Sequence, residues 1–400
     1  MKWKRSGRRR GYDRRVIVGG CLAQRFAPEY AEKYPQVDCF IGIDDVPNIH
    51  AVITRLFEQP PQPDEDARPE IAVGNGVPEY LYDDQSPRIQ TTPSSYAYVK
   101  IAEGCNHHCA FCAIPGIRGK LRSRPVASIV NECRQLLSAG VRELDIIAQD
   151  TTAYGIDLPD RPTLTALLKQ IDSLPGDFWI RVLYTHPVHI TDQFIDFLAG
   201  GRHAVPYLDV PLQHIADPIL RGMRRAISTE KTLSLMNGIR SRHPQMVVRT
   251  TFLTGFPGED DQMHRQLLDF VRDYGFDRLG VFAFSPEKGT AAYDIREGLV
   301  PQKLAEARRD EILALQKKIA YERNQSQIGK TVRVLLEERR GRRLYAGRGI
   351  GDAPDVDQTI LVRVPANANL PPLDSFVDAV VKTAGEYELG AVLKTAAHQP

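Results

Sequence analysis

Three cysteines at CxxxCxxC spacing, Cys105, Cys109 and Cys112, are the residues of this sequence best suited to chemistry. They follow directly on an apolar run, Tyr96 to Ile101. Soft thiolates this dense in a short loop are metal ligands far more often than packing residues. A structural zinc site takes four closed ligands. A cubane 4Fe–4S cluster is held by thiolates, and three of them leave one iron open to a small molecule. Two other readings stay open on the residues alone. His107 or His108 would complete a zinc knuckle, or the thiols would simply be buried and free.

The elements that must position this loop are legible downstream of it. Apolar strands are expected near 97–102, 143–148, 180–184, 207–210, 247–253 and 279–284. Helical patterns lie between most of them, at 126–139, 163–172, 229–241 and 260–274. Six βα repeats argue for a parallel sheet, open or curled into a partial barrel. Chemistry in such sheets sits at the C-terminal ends of the strands. Those ends carry Gln149-Asp150-Thr151, Thr185-His186, Gln213-His214, Gly255 to Glu259, and Ser285.

On either side the texture changes. Residues 1–15 hold eight basic residues against Asp13, and read as a solvated tail or an RNA-touching arm. Val16-Ile17-Val18, a helix over Gln24–Tyr34 and a strand at Val37–Gly42 make one β-α-β unit at most, too small to bury a core alone. The Pro-rich, acidic stretch that follows reads as a linker. Lys303 to Asn324 form a long charged helix with an apolar stripe at Leu304, Ile312, Leu315 and Ile319. After Gly329 short alternating runs predict a small all-β barrel. Composition is that of an ordinary globular chain, 42% apolar and 26% charged, and a net charge of +2 makes no case for bulk nucleic-acid binding. Six cysteines in 400 residues are no disulfide framework, which fits a reducing, cytoplasmic setting. No apolar run approaches the length of a membrane span, and the basic N-terminus has no apolar segment behind it that would make a signal peptide.

Several stretches together resemble the methylthiotransferases of the radical S-adenosylmethionine (SAM) superfamily, most closely the RimO branch, which modifies a ribosomal protein. They are Glu103-Gly104-Cys105 through Cys112, Arg118-Gly119 with Ser123-Arg124-Pro125, Gln149 through Gly155, Tyr207 through His214, and Gly255-Phe256-Pro257-Gly258-Glu259. The C-terminal barrel resembles the TRAM domain, with Asp352 to Asp357 as its recognisable loop. The resemblance implies a partial (β/α)6 parallel barrel of radical SAM type, a remnant N-terminal α/β domain and an OB-like TRAM barrel. The implied boundaries are a tail at 1–15, the remnant domain at 16–57, a linker at 58–90, the radical SAM core at 91–327 and TRAM at 328–395.

It implies chemistry too. Cys105, Cys109 and Cys112 match the ligands of the radical-generating 4Fe–4S cluster, whose open iron chelates SAM, and no catalytic residue is implied beyond the cluster ligands. A second 4Fe–4S cluster in this family is held by three N-terminal cysteines. Cys21 matches the last of them, and the other two are expected upstream of Met1, so the chain reads as N-terminally truncated and its sulfur insertion as doubtful. Cys39 and Cys133 fall outside the motif, and Cys133 lies in a helix pattern that predicts a buried thiol. For SAM, Gln149 and Asp150 are expected at the ammonium, Arg249 at the carboxylate unless it is a structural ion-pair partner, and Gly255, Pro257, Gly258 and Glu259 beside the adenine or ribose. The implied reaction is methylthiolation of the β-carbon of an aspartate in the small-subunit ribosomal protein number twelve, with an electron donor and a sulfur source as partners. The alternatives are a tRNA-adenosine methylthiotransferase and, more distantly, a non-catalytic zinc- and RNA-binding protein. Residues 330–400 hold ten Lys or Arg and nine Asp or Glu, a near-neutral balance that favours a protein substrate over a phosphate backbone. The Asp352–Asp357 loop is expected at or near that protein contact.

Overall fold

The computed structural model describes residues 14–58, 69–74 and 76–395. Residues 1–13 of the expected basic tail, and 59–68 of the expected linker, lie outside the described residues. The described residues form two compact units. The first comprises those up to Tyr82 together with Glu103–His107 and Ala113–Leu121, and the second comprises the rest.

The first unit is built on three parallel strands in the order β1 (Ile17–Gly19), β2 (Cys39–Ile41), β3 (Glu70–Ala72). Helix α1 (Cys21–Lys33) buries Ala23, Ala27 and Ala31, one small residue per turn, against Val37 and Phe40. Helix α2 (Ile49–Glu58) buries Val52 and Leu56 against Cys39 and Ile41. The single β-α-β unit expected from sequence is therefore corrected to a three-stranded sheet. Its third strand comes from inside the stretch read as linker. Glu70-Ile71-Ala72 is too short to alternate visibly, and its pairing with β2 supplies what its pattern does not. The α1 helix also begins at Cys21, three residues before the expected start. A short helix α3 (Ile114–Arg118) packs on α1.

The later, described part of the expected linker is tied down as well. Asn131 donates to the Asp84 carboxyl at 2.6 Å and the Asp84 N–H donates to Ser128 Oγ at 3.3 Å; the Ser128 and Asn131 side chains hold that carboxyl down at about 2. Arg88 pairs with Glu132 at 2.7 Å.

The second unit carries the six parallel strands. They are β4 (Tyr96–Lys100), β5 (Glu143–Ile147), β6 (Trp179–Val182), β7 (Tyr207–Asp209), β8 (Val247–Thr254) and β9 (Arg278–Ala283). Two three-stranded sheets, β4-β5-β6 and β7-β8-β9, are joined by the Ile180–Ala204 bridge. Helices α4 (Val126–Ser138), α5 (Leu164–Asp172), α6 (Asp192–Gly200), α7 (Asp217–Gly222), α8 (Thr229–Arg242) and α9 (Asp261–Tyr274) fill the crossovers. Threonine, serine or aspartate caps four of them: Thr163, Thr191, Ser228 and Asp260 each accept a backbone N–H from the first turn.

The long helix α10 (Gln302–Gln325) departs from its expected stripe. Its buried face is Ala305, Arg308, Ile312, Gln316, Ala320 and Asn324, while Leu304 is exposed. The spacing is helical, but half of the face is polar. Gln316 donates to the Phe276 carbonyl at 2.9 Å and Asn324 to the Gly385 carbonyl at 3.0 Å. Satisfied hydrogen bonds dock this helix where apolar periodicity was expected to.

The closing domain is a closed barrel in the order β10 (Thr331–Gly341), β11 (Leu344–Gly349), β12 (Thr359–Arg363), β14 (Glu388–Leu393), β13 (Phe376–Ala384). It seats on the N-terminal ends of the parallel strands. Leu335, Ala353 and Phe376 pack on Trp179, Val205 and Tyr207. Arg348 reaches Glu143 at 2.5 Å, and Arg181 meets the same carboxylate at 2.7 Å. Burial alone would raise Glu143, but Arg348 and Arg181 hold it low. Burial, and then the Glu143 charge, push Asp145 up. The Asp352–Asp357 loop turns its acids toward the parallel strands. Tyr207 donates to Asp357 at 2.6 Å, Tyr96 to Asp355 at 3.0 Å, and Arg278 pairs with Asp352 at 2.6 Å. The loop stops the lower mouth of the strand assembly, and its acids take part in that docking.

Candidate active site

The cysteine loop follows β4 and a two-residue strand, Ala102–Glu103. Gly104 has φ 79, and a Cβ there would lie 2.1 Å from the Lys120 carbonyl oxygen, so only glycine turns the chain. In the first unit, the Cys105 N–H donates to Gly119 O at 3.0 Å, and the His107 N–H donates to Cys105 Sγ at 3.4 Å. Arg118 spans two groups. Nη1 meets Glu103 at 3.0 Å, while Nε and Nη2 donate to Cys21 Sγ at 3.2 and 3.0 Å. In the second unit, Ala110 is pinned on both sides, by its N–H to Met223 O at 2.9 Å and by its carbonyl to the Ala292 N–H at 2.7 Å. Phe111 packs beside Met223, Phe256 and Phe284. The Cys112 N–H donates to Cys109 O at 3.0 Å, and Arg225 donates to Cys109 Sγ at 3.6 Å. All three loop thiols are half-buried, whereas Cys39 and Cys133 are fully buried. Burial pushes the Cys39 thiol up to about 11 and the Cys133 thiol higher still, so neither offers a thiolate.

The strand ends of the second unit come together as a polar rim. Asp150 is buried and accepts from Thr152 Oγ1 at 2.6 Å and from the Ala153 N–H at 3.2 Å. His189 Nδ1 lies 2.9 Å from its other oxygen, a bond that raises the His189 pKa. Asp150, His186 and His189 present ligand atoms within 4.8 Å of one another. His214 is wholly buried, accepts the Ala216 N–H at 3.0 Å, and is pushed down to about 3 by burial.

Three of the expected SAM residues have other work. Arg249 is the third residue of β8, not its end, and pairs with Asp209 at 2.9 Å and with Asp357 of the barrel domain at 3.8 Å. The ion-pair reading is the one the geometry supports. Gly255 has φ 76, and its Cβ would meet the Cβ of Ala305 at 2.1 Å, so its bare Cα admits helix α10 on that side. Glu259 is buried, accepts the Gly255 N–H and lies 3.3 Å from Arg308. Gly258, with φ 93, has open space at its Cβ position, and Gln149, Asp150 and Pro257 stay at the rim. Gln213, expected at a strand end, is held at φ 70; what sequence reasoning missed is Tyr184, held at φ 60, the His189 partner of Asp150, and the Arg118 fork on Cys21. No local pattern announces a left-handed tyrosine or an arginine reaching across the chain.

Comparison with known proteins agrees with this architecture. Residues 99–271 match the radical SAM superfamily and residues 328–393 the TRAM domain. The ribosomal protein uS12 methylthiotransferase RimO of Pelotomaculum thermopropionicum is 40% identical over 381 residues, covering 95% of this chain and 83% of that protein. Its counterpart from Clostridioides difficile is 38% identical over 374 residues, covering 94% and 81%. Among solved structures, the radical SAM methyltransferase TsrM of Kitasatospora setae superposes with a TM-score of 0.53 at 16% identity, over 68% of this chain and 56% of that one. That likeness concerns the fold alone. Fold and cysteine loop define the class, a radical SAM transferase with a TRAM domain. Within it, the chain belongs to the RimO family of ribosomal protein uS12 methylthiotransferases.

Among the described residues no helix is long and apolar enough to cross a membrane.

Proposed function

We propose that this chain methylthiolates ribosomal protein uS12, at the β-carbon of an aspartate. The observation that carries the reading is the 40% identity over 95% of the chain to relatives that bear that activity in their names. The neutral charge balance of the closing barrel favours the same reading over a tRNA substrate, because phosphate recognition calls for a basic surplus. A ribosomal substrate places the work in the cytoplasm, where an electron donor and a sulfur source must also be met.

Cys105, Cys109 and Cys112 are the proposed ligands of a 4Fe–4S cluster. The donor set fits the group: three half-buried thiols on one short loop, two of them receiving N–H bonds at sulfur. When bound, cluster and SAM together supply the one-electron chemistry that removes hydrogen from an unactivated carbon. The chain's part is placement. Gly104 and the Ala110 anchors fix the loop, and Gln149, Asp150, Pro257 and Gly258 are the proposed edges against SAM. A second cubane does not fit the residues present. In the first unit Cys105 belongs to the loop, Cys39 is buried, and Cys21 alone is held by Arg118, while one thiolate does not hold a cluster.

Anaerobic reconstitution should load about four irons and four sulfides. Cys112→Ala should abolish that content and Cys133→Ala should leave it intact. Tight zinc without iron uptake would favour the zinc-knuckle reading instead.

A further inference from the structure

Strand register alone lists what faces the interior of the six-stranded assembly. Phe252 of β8 packs outward on Phe270 and Phe276, so Arg249, Thr251 and Leu253 face inward. Their parallel partners share that face: Asp209 stands beside Arg249, Gly280 beside Thr251, and Phe282 beside Leu253. Below Arg249 the interior is stopped by the barrel domain. Above it, two aromatic side chains are open to solvent, Phe282 at 63% exposure and Tyr184 at 48%.

Tyr184 holds a left-handed conformation that a tyrosine adopts only when its surroundings compel it, and its N–H donates to Asp209 Oδ2 at 2.8 Å. Its phenol lies within the fields of Asp209, Arg249 and Asp145, and its hydroxyl makes no hydrogen bond among the described residues. Arg249 spends Nη1 on Asp209 and faces Asp357 with Nε at 3.8 Å, while its Nη2 has no hydrogen-bond partner among the described residues. Asp209 is itself occupied by Arg249 and the Tyr184 N–H. The result is a cup with apolar upper walls, Leu253 and Phe282, and two uncommitted donors, a guanidinium edge and a phenol, lower down. That pairing suits a carboxylate on a short side chain.

We propose that Tyr184 and Arg249 receive the side-chain carboxylate of the acceptor residue, and that Phe282 closes the cup around it, so that these residues set acceptor specificity. The inference rests on the uS12 reading above and names the groups that tell aspartate from its neutral isostere. A donor paired to a charge discriminates against an uncharged analogue once the bound side chain shields the pair from water.

The test is anaerobic binding of uS12 to the reconstituted chain without reductant, so that no turnover is needed. Wild-type protein should bind uS12 about tenfold tighter than a uS12 variant with the acceptor Asp replaced by Asn. Tyr184→Phe should lose about that factor for the Asp form and leave binding of the Asn form unchanged. Phe282→Ala should weaken both forms alike. Equal affinity of wild type for the two forms, or an equal loss on both in Tyr184→Phe, overturns the inference while the uS12 reading stands. Binding of neither form by wild type removes the reading and the inference with it.

Discussion

At the residue scale, glycine and histidine make separable predictions. Gly255 and Gly258 both have positive φ, yet only Gly255 has a neighbour where its Cβ would go. Gly258→Ala should cost about 1 kcal/mol, the backbone strain alone. Gly255→Ala should cost about 3 kcal/mol or more, because Ala305 and its helix must move. Denaturant midpoints of the two variants would check this, and equal losses would contradict it. His214 predicts a pH dependence. Its pKa falls from 6.5 to about 3 on folding. Below pH 6.5 the unfolded chain takes up a proton that the folded one refuses, so stability present above that pH is lost as pH falls. Between pH 7 and 5 this group should contribute a loss of about 2 kcal/mol. His214→Gln should show a shallower decline of unfolding free energy over that range, and parallel slopes would exclude His214 as its source.

At the element scale, the closing barrel is a stopper. Arg348 is shared between Glu143 of β5 and Glu337 of the barrel, and all three are sheltered from water. Arg348→Met leaves a buried Glu143 with Arg181 alone and should cost about 3 to 5 kcal/mol. Arg348→Lys, which keeps the charge beside Glu143, should lose less than Arg348→Met. A lysine variant as unstable as the methionine one would place the cost elsewhere. The strands and helices around this joint were legible because they repeat. The expected strand at 247–253 is Val247–Thr254, and the expected helix at 229–241 is Thr229–Arg242. What escaped the sequence was whatever rests on a partner distant in the chain. Strand β3 exists through its pairing with β2, α10 docks through Gln316 and Asn324, and the Asp352–Asp357 loop turns toward Arg278 and Tyr207.

At the scale of the whole molecule, each level supports one enzyme. A three-thiol loop follows the first of six parallel strands, and a neutral barrel stops their lower mouth. The loop was legible because ligand spacing is local. The groups proposed for the acceptor were not, because Tyr184 and Arg249 come from different parts of the chain and are brought to one carboxylate, Asp209, only by the fold. Arg249, expected at a cofactor carboxylate, lies too low on its strand for a rim role. The central claim is that this chain modifies a ribosomal protein and not a tRNA. The most direct measurement deletes its gene in the source organism and compares, by mass spectrometry, tryptic peptides of uS12 and nucleosides of tRNA. The account predicts that one uS12 aspartate peptide loses a methylthio group while methylthiolated adenosines are unchanged. An unaltered uS12 peptide together with loss of the methylthiolated nucleoside would contradict it.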